Sequence, residues 1–154
     1  MALMVYASLT ADDTALAGDS TNSSVGGVDV SAMLECYSLE FSASSPEGKE
    51  SQFSPLRFRK RSSENTPELW KASLLKQKIS GTFHMFDADP NSGQTRERFR
   101  VVITGAQIVN LSTASPDASN PSLAPMPQYD LVELAPKTMS INELTSGTKY
   151  EWSP

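Results

Sequence analysis

The chain has 154 residues, 38% of them hydrophobic and 20% charged, with a net charge of −5. That length builds one domain with a sizeable core, so residues 1–154 read as a single unit. No apolar run approaches the roughly 20 residues that span a bilayer. The acidic balance argues against a dedicated nucleic-acid binder, and a single cysteine, Cys36, excludes an internal disulfide framework and a cysteine-built zinc site.

Alternation with a period of two dominates the chain. Residues 3–9 are predicted as a first strand, with Leu3, Val5, Ala7 and Leu9 alternating with Met4, Tyr6 and Ser8. Residues 10–27 are a polar loop, and Gly26-Gly27 turns into a short extended piece over 28–30. Residues 34–43 alternate again. Leu34, Cys36, Ser38, Glu40 and Ser42 share one face, and Glu35, Tyr37, Leu39, Phe41 and Ala43 the other; the second, more apolar face is assigned to the core. After a polar loop at 44–52, residues 53–61 form a strand in which Leu56, Phe58 and Lys60 oppose Arg57, Arg59 and Arg61. The arginine row reads as a solvated face.

One helix is predicted, over 66–76. Thr66 or Asn65 suits the N-cap, Pro67 the first turn, and Glu68 the positive end of the helix dipole. Leu69, Ala72 and Leu75, flanked by Trp70 and Leu74, give a broad apolar side, while Lys71, Lys76 and Lys78 complement the far end. Residues 79–88 and 94–103 form a hairpin about the turn Asp89-Pro90-Asn91-Ser92-Gly93. Gly105 breaks that run, and 107–112 is predicted as a further strand. Residues 113–128 hold Pro116, Pro121, Pro125 and Pro127 and read as a loop. Strands over 129–135 and 138–144, bent at Pro136, and a short segment over 148–152 close the chain. The sum is a mainly β domain: a small barrel of two packed antiparallel sheets with one flanking helix.

Charge is segregated along the chain. Residues 1–48 carry seven acids and no Lys or Arg, 49–100 eleven bases and six acids, and 101–154 two bases and five acids. Such a chain either solvates its strand faces separately or presents complementary faces to copies of itself. Ser and Thr together number 34.

The search for chemistry finds little. His84 shares a strand face with Thr82 and Phe86 and reads as a surface or interface residue. Cys36 has no base beside it in sequence and reads as a packed thiol. Asp87, Asp89 and Asn91 resemble half a calcium loop, but Pro90 breaks the pattern and no bidentate Glu follows at the required offset, so the segment reads as turn chemistry. There is no GxGxxG, P-loop or Gly-Xaa-Ser-Xaa-Gly. The amino terminus, Met1-Ala2-Leu3-Met4-Val5-Tyr6, lacks the basic segment and cleavage site of a signal peptide. It is therefore expected to belong to a protein that folds in the cytoplasm and leaves, if at all, through a dedicated machine.

Several segments together are similar to one family. Gly27-Val28-Asp29-Val30, followed by Glu35-Cys36-Tyr37-Ser38-Leu39-Glu40-Phe41, resembles the second strand of Hcp, the hemolysin-coregulated protein of the bacterial type VI secretion system. Leu56-Arg57-Phe58-Arg59-Lys60-Arg61, then Thr66-Pro67-Glu68-Leu69 and Ala72, resembles the family's basic strand and its Ser/Thr-Pro-x-Leu helix. Gly81-Thr82-Phe83, the 89–93 turn and the strand through Phe99 and Ile103 are similar to its central hairpin. Val132-Glu133-Leu134 and Thr148-Lys149-Tyr150-Glu151-Trp152 stand where the family has its last strands. The order and spacing of these segments carry the resemblance across nearly the whole chain. Departures are a shorter, less glycine-rich 44–52 loop, Ser62-Ser63-Glu64 in place of an acid after the basic strand, and a longer proline-rich segment.

The resemblance implies a structural role with no catalytic residues, cofactor or metal. It implies homohexameric rings that stack into a tube inside a contractile sheath, with baseplate and spike (VgrG-like) proteins as partners and effector proteins in the lumen. It implies no nucleic acid and no membrane insertion, assembly in the cytoplasm, and secretion without a cleaved signal peptide. Glu47, Lys49, Glu50, Arg57, Arg59 and Arg61 are the expected ring or stacking interface, and the many hydroxyls are expected to line a hydrated lumen. Two other readings stand beside it: the tail tube of a related phage-like injection system, and a non-ring β-sandwich adaptor. An enzyme using His84 would need a closed apolar pocket converging on that residue.

Overall fold

Period-two patterning sets nearly every element of the computed structural model, which describes residues 3–153. In chain order these are β1 (Val5–Ala11), β2 (Thr14–Ala15), β3 (Ser24–Val25), β4 (Val28–Asp29), β5 (Leu34–Glu40), β6 (Ala43–Ser44), β7 (Gln52–Phe53), β8 (Leu56–Arg61), α1 (Thr66–Leu74), β9 (Ile79–Ala88), β10 (Thr95–Ala114), β11 (Tyr129–Ala135), β12 (Thr138–Glu143) and β13 (Lys149–Trp152). The first strand lies two residues later than predicted. The polar segment after it is not a plain loop: it contributes β2, β3 and β4 and lies as a strap against the barrel.

Six strands close on themselves in the order β11-β8-β5-β1-β9-β10, with β10 paired back to β11. Every pairing is antiparallel, and the two packed layers are opposed walls of one closed sheet. Closure removes the unpaired edges that would otherwise template aggregation. β10 makes closure possible because it serves two sets of neighbours. Phe99–Thr104 lies between β9 and β12, whereas Gln107–Ala114 pairs with β11. The change falls at Gly105, whose φ of 60° lies in the left-handed region and accompanies a register shift between Ile103 and Ala106. The break predicted at Gly105 is thus a bulge at which one strand changes partners. β12 and β13 hang from the first half of β10 as a flap.

The barrel interior is filled by one side of each strand. Val5, Ala7, Leu9, Leu56, Phe58, Phe83, Val101, Ile103, Val132 and Leu134 are all buried, and Phe58 and Phe83 lie 5.4 Å apart. Each fully buried Leu or Phe contributes about 1.5–3 kcal/mol relative to an exposed one. The core face assigned to β5 was the wrong one for its first half. Leu34 and Cys36 are fully buried, and Tyr37 is exposed. A bulge between Cys36 and Ser38 in the ladder to β8 then reverses the alternation, so that Leu39 packs on the core. Strict alternation across a bulge reverses the inside and outside assignments.

The helix is two residues shorter than predicted and begins at Thr66 after the N-cap Asn65. Only Leu69 and Ala72 are buried; Trp70, Leu74 and Leu75 of the predicted apolar side point outward. The helix ends in a Schellman motif. The Gln77 N–H donates to the Ala72 carbonyl (2.9 Å), the Lys76 N–H to that of Ser73, and Lys76 takes φ 55°. The predicted hairpin is present: the Gly93 N–H donates to the Asp89 carbonyl (2.7 Å), and Gly93 has φ 72°.

Candidate functional site

The six residues expected at an interface fall into two groups. Glu47, Lys49 and Glu50 lie between β6 and β7, exposed, and make no ion pair among the described residues. The arginines of β8 are engaged within the chain. Arg57 donates to Glu133 (3.0 Å) and Glu40 (3.2 Å) on the two flanking strands. The Arg59 guanidinium lies 4.9 Å over the Tyr129 ring, and Arg61 is half-buried, donating to the Asp19 carbonyl at 3.4 Å. The basic middle segment therefore meets the acidic first third partly inside one subunit.

Sequence reasoning missed the central polar feature. Lys60, inward on β8, is fully buried, and its Nζ lies 3.1 Å from Asp19 and 3.5 Å from Asp130. Asp130 accepts from Ser62 (3.0 Å), Thr66 (2.7 Å) and Thr113 (2.7 Å). Asp19 accepts the Glu35 N–H (2.7 Å), the Ser63 hydroxyl (2.7 Å) and the Asn65 amide (3.1 Å). Burial alone would raise the Asp19 pKa, but these donors and Lys60 hold it below the ordinary carboxylate range. The knot ties the strap, β8, the helix N-terminus, β10 and β11 together. The only sequence signal for it was a lysine in phase with Leu56 and Phe58. The Asn65 Oδ1 is buried there without a partner.

His84 is on the side of β9 that alternation gave it, beside Arg100, but it is buried within the chain and is not the surface residue expected from the sequence. Its Nδ1 is 2.7 Å from Glu97, which also accepts from Arg100 at 2.7 Å. Burial would raise the Glu97 pKa, but hydrogen bonds from Arg100 and His84 keep it low. Five surface cavities of about 280 to 650 Å³ are present, and His84 lines none of them. Cys36 is fully buried, and desolvation pushes its thiol far above the ordinary range, so it is an inert packed thiol. Among the described residues no group of three or more His, Cys, Asp or Glu is placed to hold a metal ion.

What remains on the surface are broad faces rather than a cleft. Ser8, Thr10, Ser80, Thr82, Thr104, Thr138 and Ser140 lie on the outer side of β1, β9, β10 and β12, where cross-strand pairs such as Ser8 with Thr82 and Thr104 with Thr138 set them in rows. A shallow hollow of about 650 Å³ with a mixed lining, in which Thr104, Thr138, Ser140 and Asn142 stand beside Val102, Met139, Leu144 and Trp152, continues this face. A smaller apolar groove of about 310 Å³ is lined by Phe41, Met139, Ile141 and Tyr150 together with Phe53 and Trp152, whose rings stack at 5.4 Å.

The fold has known relatives. The structure is similar to a crystal structure of an Hcp protein at TM-score 0.83 and 15% identity, covering 97% of this chain and 96% of that one. It is similar to Hcp1 from E. coli EAEC 042 (TM-score 0.78, 18% identity, 99% and 98% covered). It is also similar to the secreted protein Hcp3 from Pseudomonas aeruginosa (TM-score 0.77, 15% identity, 97% of each chain). Identities this low express a shared fold. No curated protein matches the sequence. The model of the family described as type VI secretion system effector, Hcp, matches residues 9–141, from the first strand into β12, and on that match the chain belongs to the Hcp family.

Proposed function

We propose that this chain is the repeating subunit of a type VI secretion tube. It forms homohexameric rings that stack inside a contractile sheath, engage baseplate and spike proteins, and carry effector proteins in the channel. The observation that carries this reading is the extent of the family match, residues 9–141, which takes in the barrel wall, the helix and the first residues of the flap. The likeness is to a whole scaffold and not to one motif. A closed barrel with few open edges suits a rigid building block. Its surface offers faces instead of a cleft converging on His84, which suits a structural role without catalysis.

Within this reading Glu47, Lys49 and Glu50 make stacking contacts, because their charges make no ion pair among the described residues. Arg57, Arg59 and Arg61 present the adjoining face at the ring interface while braced by Glu40, Glu133, Tyr129 and Asp19. The hydroxyl rows of β1, β9, β10 and β12 line the channel, where neutral hydrated groups let cargo slide. Assembly is cytoplasmic, and the protein leaves the cell inside its own machine; no helix among the described residues is long and apolar enough to cross a membrane.

Electron microscopy and light scattering of the purified protein test the reading. Six-fold rings, with a mass six times 16.7 kDa, are expected. A strict monomer at high concentration overturns it in favour of the adaptor. Filament formation that ignores ionic strength would remove charge steering from the stacking step.

A further inference from the structure

The strap leaves the barrel wall after β1 and rejoins it at Leu34. Of residues 12–33 only Leu16 and Val30 are buried, and only Leu16 belongs to the main core. Its root is pinned. The Asp12 N–H donates to the Lys78 carbonyl (2.9 Å), the Lys78 N–H to the Asp12 carboxylate (2.8 Å), and the Leu16 N–H to the Leu9 carbonyl (2.9 Å). Beyond Leu16 the strap is closed on itself. β3 pairs with β4, the Val30 N–H donates to the Ser23 carbonyl (3.1 Å), and the Asp19 and Ser20 N–H groups each donate to the Met33 carbonyl at 3.1 Å. A Cβ on Gly18 would lie 2.5 Å from the Ala32 carbonyl carbon, so the two limbs pack in direct contact. Among the described residues, every hydrogen bond made by residues 23–33 ends within the strap.

The ties from strap to barrel are polar and crowd at one place. Asp19 accepts the Glu35 N–H, the Ser63 hydroxyl and the Asn65 amide, and faces Lys60 at 3.1 Å. Asn65 also donates to the Ala17 carbonyl (2.8 Å), and the Ala17 N–H donates to Glu68 (3.1 Å). Farther out, Thr21 donates to Glu35, and the Asn22 amide to the Tyr6 hydroxyl at 2.9 Å. The barrel does not need these ties to keep Lys60 neutralised. Its second acid, Asp130, takes its hydroxyl donors from Ser62, Thr66 and Thr113, none of them on the strap. If Asp19 moves out into water, Lys60 keeps Asp130, and no charge is left alone in the interior. A segment with little buried apolar surface opens at a free energy below that of the whole domain.

We infer that residues 17–33 are a latched strap that swings off the closed barrel while keeping its own hydrogen bonds, with Asp19 as the latch. Opening takes Asn22 off the Tyr6 hydroxyl and lets water reach Lys60. The device belongs to the subunit alone and stands whether or not the chain forms rings.

Native-state hydrogen exchange on the full chain tests it, with urea varied below the unfolding transition. The Ala17 and Glu35 N–H groups bond across the seam and report its opening. They are expected to exchange about tenfold or more faster than the slowest amides of β9 and β10 and with a shallower urea dependence, while Val30 and Met33 exchange no faster than they do. Asp19→Asn removes the charge from the latch and is expected to speed the seam amides by about tenfold or more. Ile103→Val, in the core and away from the strap, is expected to speed the β9 and β10 amides and leave Ala17 and Glu35 unchanged. Seam amides that follow the β9 and β10 amides in rate and urea slope, or that respond to Ile103→Val, mean that the strap opens only with the barrel and overturn the proposal. Val30 or Met33 exchanging ahead of the seam means that the strap frays instead of swinging, which also overturns it. So does seam exchange that Asp19→Asn leaves unchanged.

Discussion

Lys60 shows how one side chain can hold a fold's polar interior together. Its ammonium group faces Asp19 and Asp130 with no water-exposed surface, so its removal strands two buried carboxylates. Breaking a buried pair from one side costs about 3–5 kcal/mol, whereas replacing the whole cluster costs far less. Lys60→Met is therefore expected to lower stability by about 3–5 kcal/mol in urea titrations, and adding Asp130→Asn to return part of the loss in a double-mutant cycle. The pH dependence has a definite sign. The folded pKa of Asp19 is depressed, so its contribution is complete above the unfolded value of about 3.9 and is lost as pH falls through the folded value. Wild-type stability should fall below about pH 4, and Asp19→Asn should make that acid limb shallower. A second prediction concerns Lys76, a non-glycine residue at φ 55° in the Schellman turn. Lys76→Gly relieves about 1 kcal/mol of left-handed strain, and a Tm raised by a few degrees in calorimetry would register it.

At the scale of elements, close approach between strands fixes the register. Gly81 on β9 pairs with Leu9 on β1, and a Cβ built on it would lie 2.0 Å from the Ser8 carbonyl oxygen. That atom is backbone in the barrel wall and cannot swing aside. Gly81→Ala is expected to destabilise the domain by at least about 3 kcal/mol. Hydrogen exchange should show protection lost first along β1 and β9; unchanged exchange there would contradict the close-packing argument. Gly105 works differently, through backbone conformation: it lets β10 leave β12 and join β11. The sequence marked Gly105 only as an interruption and left Gly81 inside an unbroken strand. Whether an interruption ends a strand, bulges it or lets two strands touch depends on which neighbour lies alongside.

At the scale of the molecule, the tube reading turns on which face becomes enclosed. If the hydroxyl rows line the channel, cysteines placed at Thr104 or Ser140 should react freely with a bulky maleimide in the dissociated subunit. They should be protected in closed rings, while one at Lys49 stays reactive in unstacked rings. Equal labelling of all three positions in assembled protein would put the hydroxyl face outside.

What the sequence determined by itself is what depends on neighbours along the chain. Alternation located β8, β9, β11 and the 89–93 hairpin, because a strand's period and a turn's φ angles are properties of a few consecutive residues. The order of those segments, from Val28 to Trp152, was enough to suggest the family. Tertiary structure decided what depends on distant residues. The bulge at Tyr37 that reversed β5, the exposure of Leu74 and Leu75, and the change of partners at Gly105 follow from how the barrel closes. The knot at Lys60 follows from it too, because Asp19 and Asp130 lie far from Lys60 in the chain. A charge in the core is tolerated only when such partners arrive, and no local pattern records their arrival.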